Sequence, residues 1–315
     1  MDTTISSPAL VLDLIEAFRR SKTMFVAVEL GIFDGRRPPE YRELTRLLDA
    51  CCALGLLERE NGVYRNTPVA DEYLRSDSPR TLTGYIKYSN RALYPMWGNL
   101  EDAVREGTPR WGQTFGLDGP IFDSFFRDDA SKREFLLGMH GFGQIGSPAV
   151  AAAFDLSSFH RLVDLGGASG HLAKAVQVRY PHMECAVFDL PAVAAEFPGV
   201  IPGNFFTDPL PPADLYTLSR ILHDWGEEKI ALLLRRVFAA LPNGGALLVA
   251  EKILNEDPPG PVAGQMQSLN MLVCTEGRER TLSQYRELLE SAGFIGIEGR
   301  KTGTLLDAIL ARKSV

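Results

Sequence analysis

No apolar run in this chain reaches the roughly 18 residues that a membrane-spanning helix needs, so the sequence predicts no membrane partner. The amino terminus, MDTTISSPAL, lacks the basic region and apolar stretch of a secretory signal. Cysteine is scarce: Cys51, Cys52, Cys185 and Cys274 form no CxxC pair, and the five histidines are scattered. No metal site is therefore expected, and reduced thiols in a cytoplasmic protein are the natural reading. Positive charge is not in excess either. Lys and Arg number 33 against 40 Asp and Glu, a net −7, which argues against nucleic acid as the main partner. What is present is a chain of 315 residues, 45% hydrophobic and 23% charged, enough for a substantial core and two domains.

The informative stretch is Arg161–Gly170, RLVDLGGASG. It reads as a short strand, a glycine turn and a helix from about His171 to Tyr180, the makings of a nucleotide pocket. A dinucleotide turn wants apolar residues before its glycines. Here Asp164 stands beside Gly166 and Gly167, where a carboxylate repels phosphate and suits a cation. Nineteen residues after Gly170, Asp189 ends a second apolar run, CAVFDL, where a carboxylate can take both hydroxyls of a ribose. A cationic amino-acid group at the first turn and a ribose at the second describe S-adenosylmethionine.

The remainder reads as three parts. Residues 1–90 form a mainly helical, winged-helix-like module. A helix over 8–30 carries Val11, Leu14, Ile15, Phe18, Phe25 and Val28 near a 3.6 period and stops at Gly31; a second runs from Tyr41 to Leu57; a hairpin turns at Asn61-Gly62. With 12 Lys/Arg and 13 Asp/Glu the module is not basic enough for a DNA-binding wing, and dimerisation is the better reading. Residues 91–150 form an aromatic-rich helical connector, from which Phe126, Met139 and Phe142 are candidates for the wall of an apolar substrate pocket. Residues 151–315 alternate: strands near 161–165, 184–189, 213–219 and 245–250, helices near 171–180, 227–241 and 281–292, and a closing antiparallel pair, FIGIEGRK and LLDAILARK. This is an α/β, Rossmann-like doubly wound sheet with a terminal antiparallel pair.

Ligands of open parallel sheets sit at the carboxyl ends of the strands. Asp164, Asp189, the stretch Arg220–Trp225 and Glu251 lie there, and Glu279 sits in the loop TEGRERT. A histidine flanked by two carboxylates makes a general base: one acid fixes the tautomer, the other orients the ring or clamps the substrate.

DLGGASG, FDLP, GNFFTDPLP, SRILHDW, VAEKIL and SLNMLVCTEGRERT together resemble the small-molecule O-methyltransferases of the class I S-adenosylmethionine fold. The resemblance covers nearly the whole chain, and SLNMLVCTEGRERT with KTGTLLDAILARK is closest to the acetylserotonin type. The motif HDW is specific in this context; the glycine turn is not. The resemblance implies His223 as general base, flanked by Glu251 and Glu279. It implies cofactor contacts at Gly166, Asp189, its neighbour Leu190, Phe205 and Arg220, and a substrate contact at Asn270. Asp224 shapes the loop of the base on the substrate side. S-adenosylhomocysteine is the implied product, an aromatic hydroxyl compound (phenol or hydroxyindole) the acceptor, and a homodimer through interlocking N-terminal helices the assembly.

Two departures stand out. Asn204 occupies a position where the family has Asp facing the adenine amino group, so it offers an amide oxygen without charge. The chain is also shorter than the family by roughly ten residues near Gly35–Arg36 and again near Glu196–Phe197. Residues omitted at either joint would leave a Cα–Cα step far above about 3.8 Å. Three rival readings belong beside this one. N- or C-methylation needs less help from a base, so His223, Glu251 and Glu279 favour oxygen. A non-catalytic relative would show a lost base or a broken turn, and only Asn204 points that way. A DNA-binding regulator conflicts with the acidic balance.

Overall fold

The structure is a computed structural model that describes residues 7–37, 42–117, 119, 122, 125–126 and 128–314. It divides into two compact units, one up to Ala92 and one from Leu93 onward.

In the first unit α1 spans Ala9–Glu29 and ends where Gly31 takes a left-handed φ of 69°, a turn that costs glycine nothing. Its C-terminal end packs Ala27 and Val28 into a core with Ile32, Phe33, Leu48, Cys51, Leu57, Ala70, Leu74 and Ile86. Its N-terminal half buries almost nothing: Leu10, Val11, Leu12, Leu14, Ile15 and Phe18 are each more than half exposed. Helix α2 is Leu44–Ala53, shorter than the predicted Tyr41–Leu57. Tyr41 lies outside the described residues, and Leu57 already opens strand β1 (Leu57–Glu60). β1 pairs antiparallel with β2 (Val63–Asn66) across Asn61 and Gly62, at φ 50° and 82°. Two consecutive positive φ values are the geometry that an Asn-Gly hairpin favours. Helices α3 (Pro68–Tyr73) and α4 (Thr83–Tyr88) complete the unit.

The second unit opens with short helices α5 (Tyr94–Trp97), α6 (Leu100–Glu106) and α7 (Trp111–Phe115), then the long α8 (Asp129–Ala153). A seven-stranded sheet follows. Its strands are β3 (Arg161–Leu165), β4 (Glu184–Asp189), β5 (Ile201–Pro202), β6 (Leu215–Ser219), β7 (Ala246–Glu251), β10 (Ile295–Arg300) and β11 (Asp307–Arg312), ordered β10-β11-β7-β6-β3-β4-β5. The five from β3 to β7 run parallel, and β11 and β10 add antiparallel at one edge. The strands expected from sequence are found within two residues. β5 was not expected, since two residues carry no period. Helices α9 (His171–Arg179), α10 (Pro191–Ala194), α11 (Glu227–Ala240), α12 (Val262–Cys274) and α13 (Leu282–Ser291) link them; a small pair, β8 (Ile253–Leu254) with β9 (Arg280–Thr281), brackets α12.

The order explains where a ligand goes. The chain leaves β3 toward β4 and β5, then returns to place β6 on the other side of β3. That reversal opens a crevice at the carboxyl end of β3, where the glycine turn sits. Both joints where the chain is expected to be short lie beside turns closed by backbone hydrogen bonds. Arg36 N–H donates to Gly31 O at 3.1 Å, and Val200 N–H to Phe197 O at 3.3 Å. No helix among the described residues is long and apolar enough to cross a membrane.

Candidate active site

β3 delivers Asp164 to the underside of the glycine turn. The residue is fully buried, with its Oδ1 accepting from the Thr217 hydroxyl of β6 at 2.6 Å. Its Oδ2 makes no hydrogen bond among the described residues and lies where a Cβ on Gly167 would be. Burial pushes the Asp164 carboxyl up to about 7. A buried carboxylate with one oxygen unsatisfied costs free energy that a nearby cation would recover. The turn therefore fits a ligand carrying positive charge and not a pyrophosphate. Gly166, at φ 71°, donates its N–H to Phe188 O, and a Cβ there would meet Ile221 Cδ1 at 2.5 Å and Phe205 at 3.3 Å. The bare glycine leaves room between those side chains.

Asp189 ends β4 as expected. Its Oδ2 accepts from Ala168 N–H at 2.8 Å and its Oδ1 from Leu190 N–H at 2.7 Å. Burial pushes it up to about 6. Each oxygen keeps a lone pair that a ribose hydroxyl could use. Phe205 stands at the turn, its backbone carbonyl held by Arg236 Nε at 2.9 Å. Asn204 is turned back on its own loop, with its Oδ1 accepting from Phe206 N–H at 2.9 Å. Arg220 follows β6 with φ 58°, an unusual conformation for a side-chain-bearing residue, fixed by its N–H on Ala250 O. Its guanidinium lies 4.6 Å from the Phe142 ring centroid, and its Nε is buried without a hydrogen bond among the described residues.

The imidazole is on a 3₁₀ turn, Leu222–Asp224, directly after β6. His223 is 3% exposed. Its Nδ1 is 2.6 Å from Glu279 Oε1, and its Nε2 is 3.7 Å from Asp224 Oδ1. Burial alone would lower the ring's pKa, but Glu279 and Asp224, with Glu251, outweigh it and raise it to about 9. Burial pushes Asp224 up to about 6.

Glu251 holds the backbone beneath the ring. Its Oε1 accepts three backbone N–H groups, from Ile221 at 3.0 Å, Leu222 at 2.6 Å and His223 at 3.2 Å, and its Oε2 accepts from the Tyr285 hydroxyl. Of the two carboxylates expected beside the base, Glu279 bonds the ring directly, while Glu251 grips the peptide that carries the ring and acts on it by charge; Asp224 also lies near Nε2. Tyr285 and Thr217 were missed from sequence, as was Gly277, where a Cβ would fall onto the His223 carbonyl oxygen. Only Gly277 left a signal, as the glycine of TEGRERT.

Asn270 on α12 is nearly buried. Its Oδ1 accepts from the Trp97 indole at 2.9 Å, and its Nδ2 faces Cys274 Sγ at 3.6 Å. Met139 and Phe142 are half-buried on α8, and Phe142 lies under Arg220. Phe126 packs against Phe122 and Phe135, at 5.9 and 6.1 Å between ring centroids. The structure thus brings Asp164, Gly166, Asp189, Leu190 and Phe205 together at one turn, His223, Asp224 and Glu279 at another, with Arg220 and Phe142 paired beside them. Phe126 belongs to an aromatic cluster that reaches Trp225, next to Asp224, through Phe122.

The arrangement can be compared with known proteins. Residues 97–295 match the O-methyltransferase domain, and residues 38–76 the O-methyltransferase dimerisation domain. Acetylserotonin O-methyltransferase of Gallus gallus is 39% identical over 346 aligned positions, covering 99% of this chain and 100% of that protein. A human protein described as a probable bifunctional dTTP/UTP pyrophosphatase/methyltransferase is also 39% identical, over 97% of this chain and 54% of its own length. The crystal structure of human N-acetylserotonin methyltransferase in complex with SAM superposes with a TM-score of 0.93 at 38% identity, covering both chains completely. The first alignment is longer than this chain's 315 residues, so that relative carries segments absent here. With a family domain over more than half its length and relatives near 40% identity end to end, this chain belongs to the O-methyltransferase family.

Proposed function

We propose that the chain transfers the methyl group of S-adenosylmethionine to a hydroxyl of a small aromatic molecule, a phenol or hydroxyindole. The observation that carries this is the His223–Glu279 pair at 2.6 Å, one strand away from the turn where Asp164 waits for positive charge. When bound, the cofactor supplies an activated methyl on a sulfonium. Asp164 favours the cationic amino-acid end of the ligand electrostatically, and Asp189 takes the ribose. His223 receives the acceptor's proton on Nε2, because Nδ1–H is committed to Glu279, which holds the tautomer and steadies the imidazolium. A phenol has a pKa near about 10, so near neutrality a base is needed. Methylation of an amine needs no such pair. The other proposed parts are a polar contact to the acceptor from Asn270, an apolar wall from Met139 and Phe142, Phe126 as a further wall residue, and Asp224 orienting the acceptor beside the ring.

The acceptor class draws on the acetylserotonin relatives and on the aromatic segment. We further infer a homodimer through the first unit, supported by the dimerisation-domain match and the bare apolar half of α1.

The test is His223→Ala. Turnover should fall about 10²–10⁴-fold while the dissociation constant for S-adenosylhomocysteine stays as in the parent protein. Unchanged turnover would remove His223 from the reaction.

A further inference from the structure

Helix α8 crosses behind the glycine turn, and its contact face is made of small residues: Gly138, Gly141, Gly143, Gly146 and Ser147 are all buried. A Cβ on Gly143 would fall into the His171 ring. Two polar links span this seam. In the first, Ser147 Oγ donates to Gly143 O at 2.8 Å, so it accepts from His171 Nδ1–H, also at 2.8 Å; a hydroxyl has one hydrogen to give. That link is complete within the protein.

The second link is not. His140 Nδ1 stands 2.6 Å from Ser169 Oγ, and its Nε2 stands 2.5 Å from the Gln144 amide nitrogen. An amide nitrogen only donates, so Nε2 accepts. Burial, helped by the charge of Lys174, lowers the ring's pKa and keeps it neutral. A neutral ring that accepts at Nε2 carries its hydrogen on Nδ1 and gives it to Ser169. The Ser169 hydroxyl hydrogen then has no acceptor among the described residues. Ser169 follows Ala168, a strained non-glycine residue at φ 46° whose N–H is tied to Asp189. The turn is thus fastened on one side by Asp189 and on the other by His140, with one O–H left over. Arg220 belongs to the same neighbourhood, since its guanidinium lies over Phe142, two residues beyond His140 on α8.

We propose that the Ser169 hydroxyl donates to the carboxylate at the amino-acid end of the cofactor, and that His140 is the positioning residue that turns it there. The inference rests on S-adenosylmethionine as cofactor. The zwitterionic end of that ligand then meets opposite partners, Asp164 near its ammonium and Ser169 with Arg220 near its carboxylate. The reverse tautomer, with the Gln144 amide turned over, would make Ser169 the donor to the ring and leave nothing for a ligand.

Isothermal titration of S-adenosylmethionine and of its decarboxylated counterpart distinguishes the two. Ser169→Ala should weaken the parent cofactor about tenfold, as loss of a hydrogen bond to a charged group does, and leave the decarboxylated compound unchanged. His140→Ala should show the same selective loss, with no further loss in the double variant. Ser169→Ala binding both ligands as the parent protein does, or losing both by the same factor, would overturn the proposal. The Ser169→Ala comparison decides even if His140→Ala does not fold. Failure of the unsubstituted protein to bind S-adenosylmethionine would instead overturn the cofactor reading, and that result precedes any substitution.

Discussion

His223 is held between opposing demands. Burial favours the neutral ring, Glu279 and Asp224 favour the charged one, and the carboxylates win, with a pKa raised to about 9. At neutral pH the ring is therefore mostly protonated, and in the proposed reaction the competent form is the one lacking that proton. The ratio kcat/KM should rise about tenfold per pH unit from pH 7 and level off near about 9. Glu279→Gln removes the largest attraction on the charged ring and leaves the burial that opposes it. Its plateau should begin below the parent's, toward the ordinary histidine value; a pH–rate profile that does not move would separate Glu279 from the base. Asp164 offers a second reading by pH. Its carboxyl, raised to about 7 by burial, should lose its proton when a cationic ligand binds beside it. Affinity for S-adenosylmethionine should then strengthen as pH rises from about 6 to 8, with proton release visible as buffer-dependent binding heat. Asp164→Asn should abolish that dependence and keep the Thr217 hydrogen bond.

At the scale of elements, the proposed base sits on a loop that other elements hold. Glu251, from the end of β7, takes the N–H groups of Ile221, Leu222 and His223, and Tyr285 of α13 caps its other oxygen. Gly277 lets the loop before β9 lie flat on the His223 peptide. Gly277→Ala pushes a methyl group into that peptide. We expect kcat to fall at least tenfold while cofactor affinity is retained; a variant with normal kcat would show that the loop tolerates the shift. This level of organisation was only partly legible in the sequence. The strand, glycine turn and helix at Arg161–Arg179 were, because apolar alternation and glycine spacing are local. So was the Asn61-Gly62 hairpin. The partner of Glu251 was not, because a carboxylate at a strand end does not say whether it points at a ring or at three backbone amides. Nor was Trp97 on Asn270, a contact between residues 173 apart in sequence. The two-residue β5 was invisible because pairing with β4, not residue pattern, defines it.

At the scale of the whole molecule, the exposed face of α1 is the feature that a lone chain leaves unexplained. Leu14 is 65% exposed and Ile15 54%, and such a run of apolar surface marks an association site. Leu14→Glu with Ile15→Glu should convert a dimer to a monomer in light scattering; a parent protein that is monomeric at micromolar concentration would refute the assembly. The central claim is chemical: an activated methyl and an imidazole meet across the β3–β6 crevice, and oxygen takes the methyl. The most direct measurement is a single-turnover reaction with methyl-labelled S-adenosylmethionine and a hydroxyindole, the product's label located by NMR. The account predicts label on the hydroxyl oxygen, appearing at a rate that falls with His223→Ala. Label on nitrogen or carbon, or no transfer to any phenol or hydroxyindole by a protein that binds the cofactor, would contradict it.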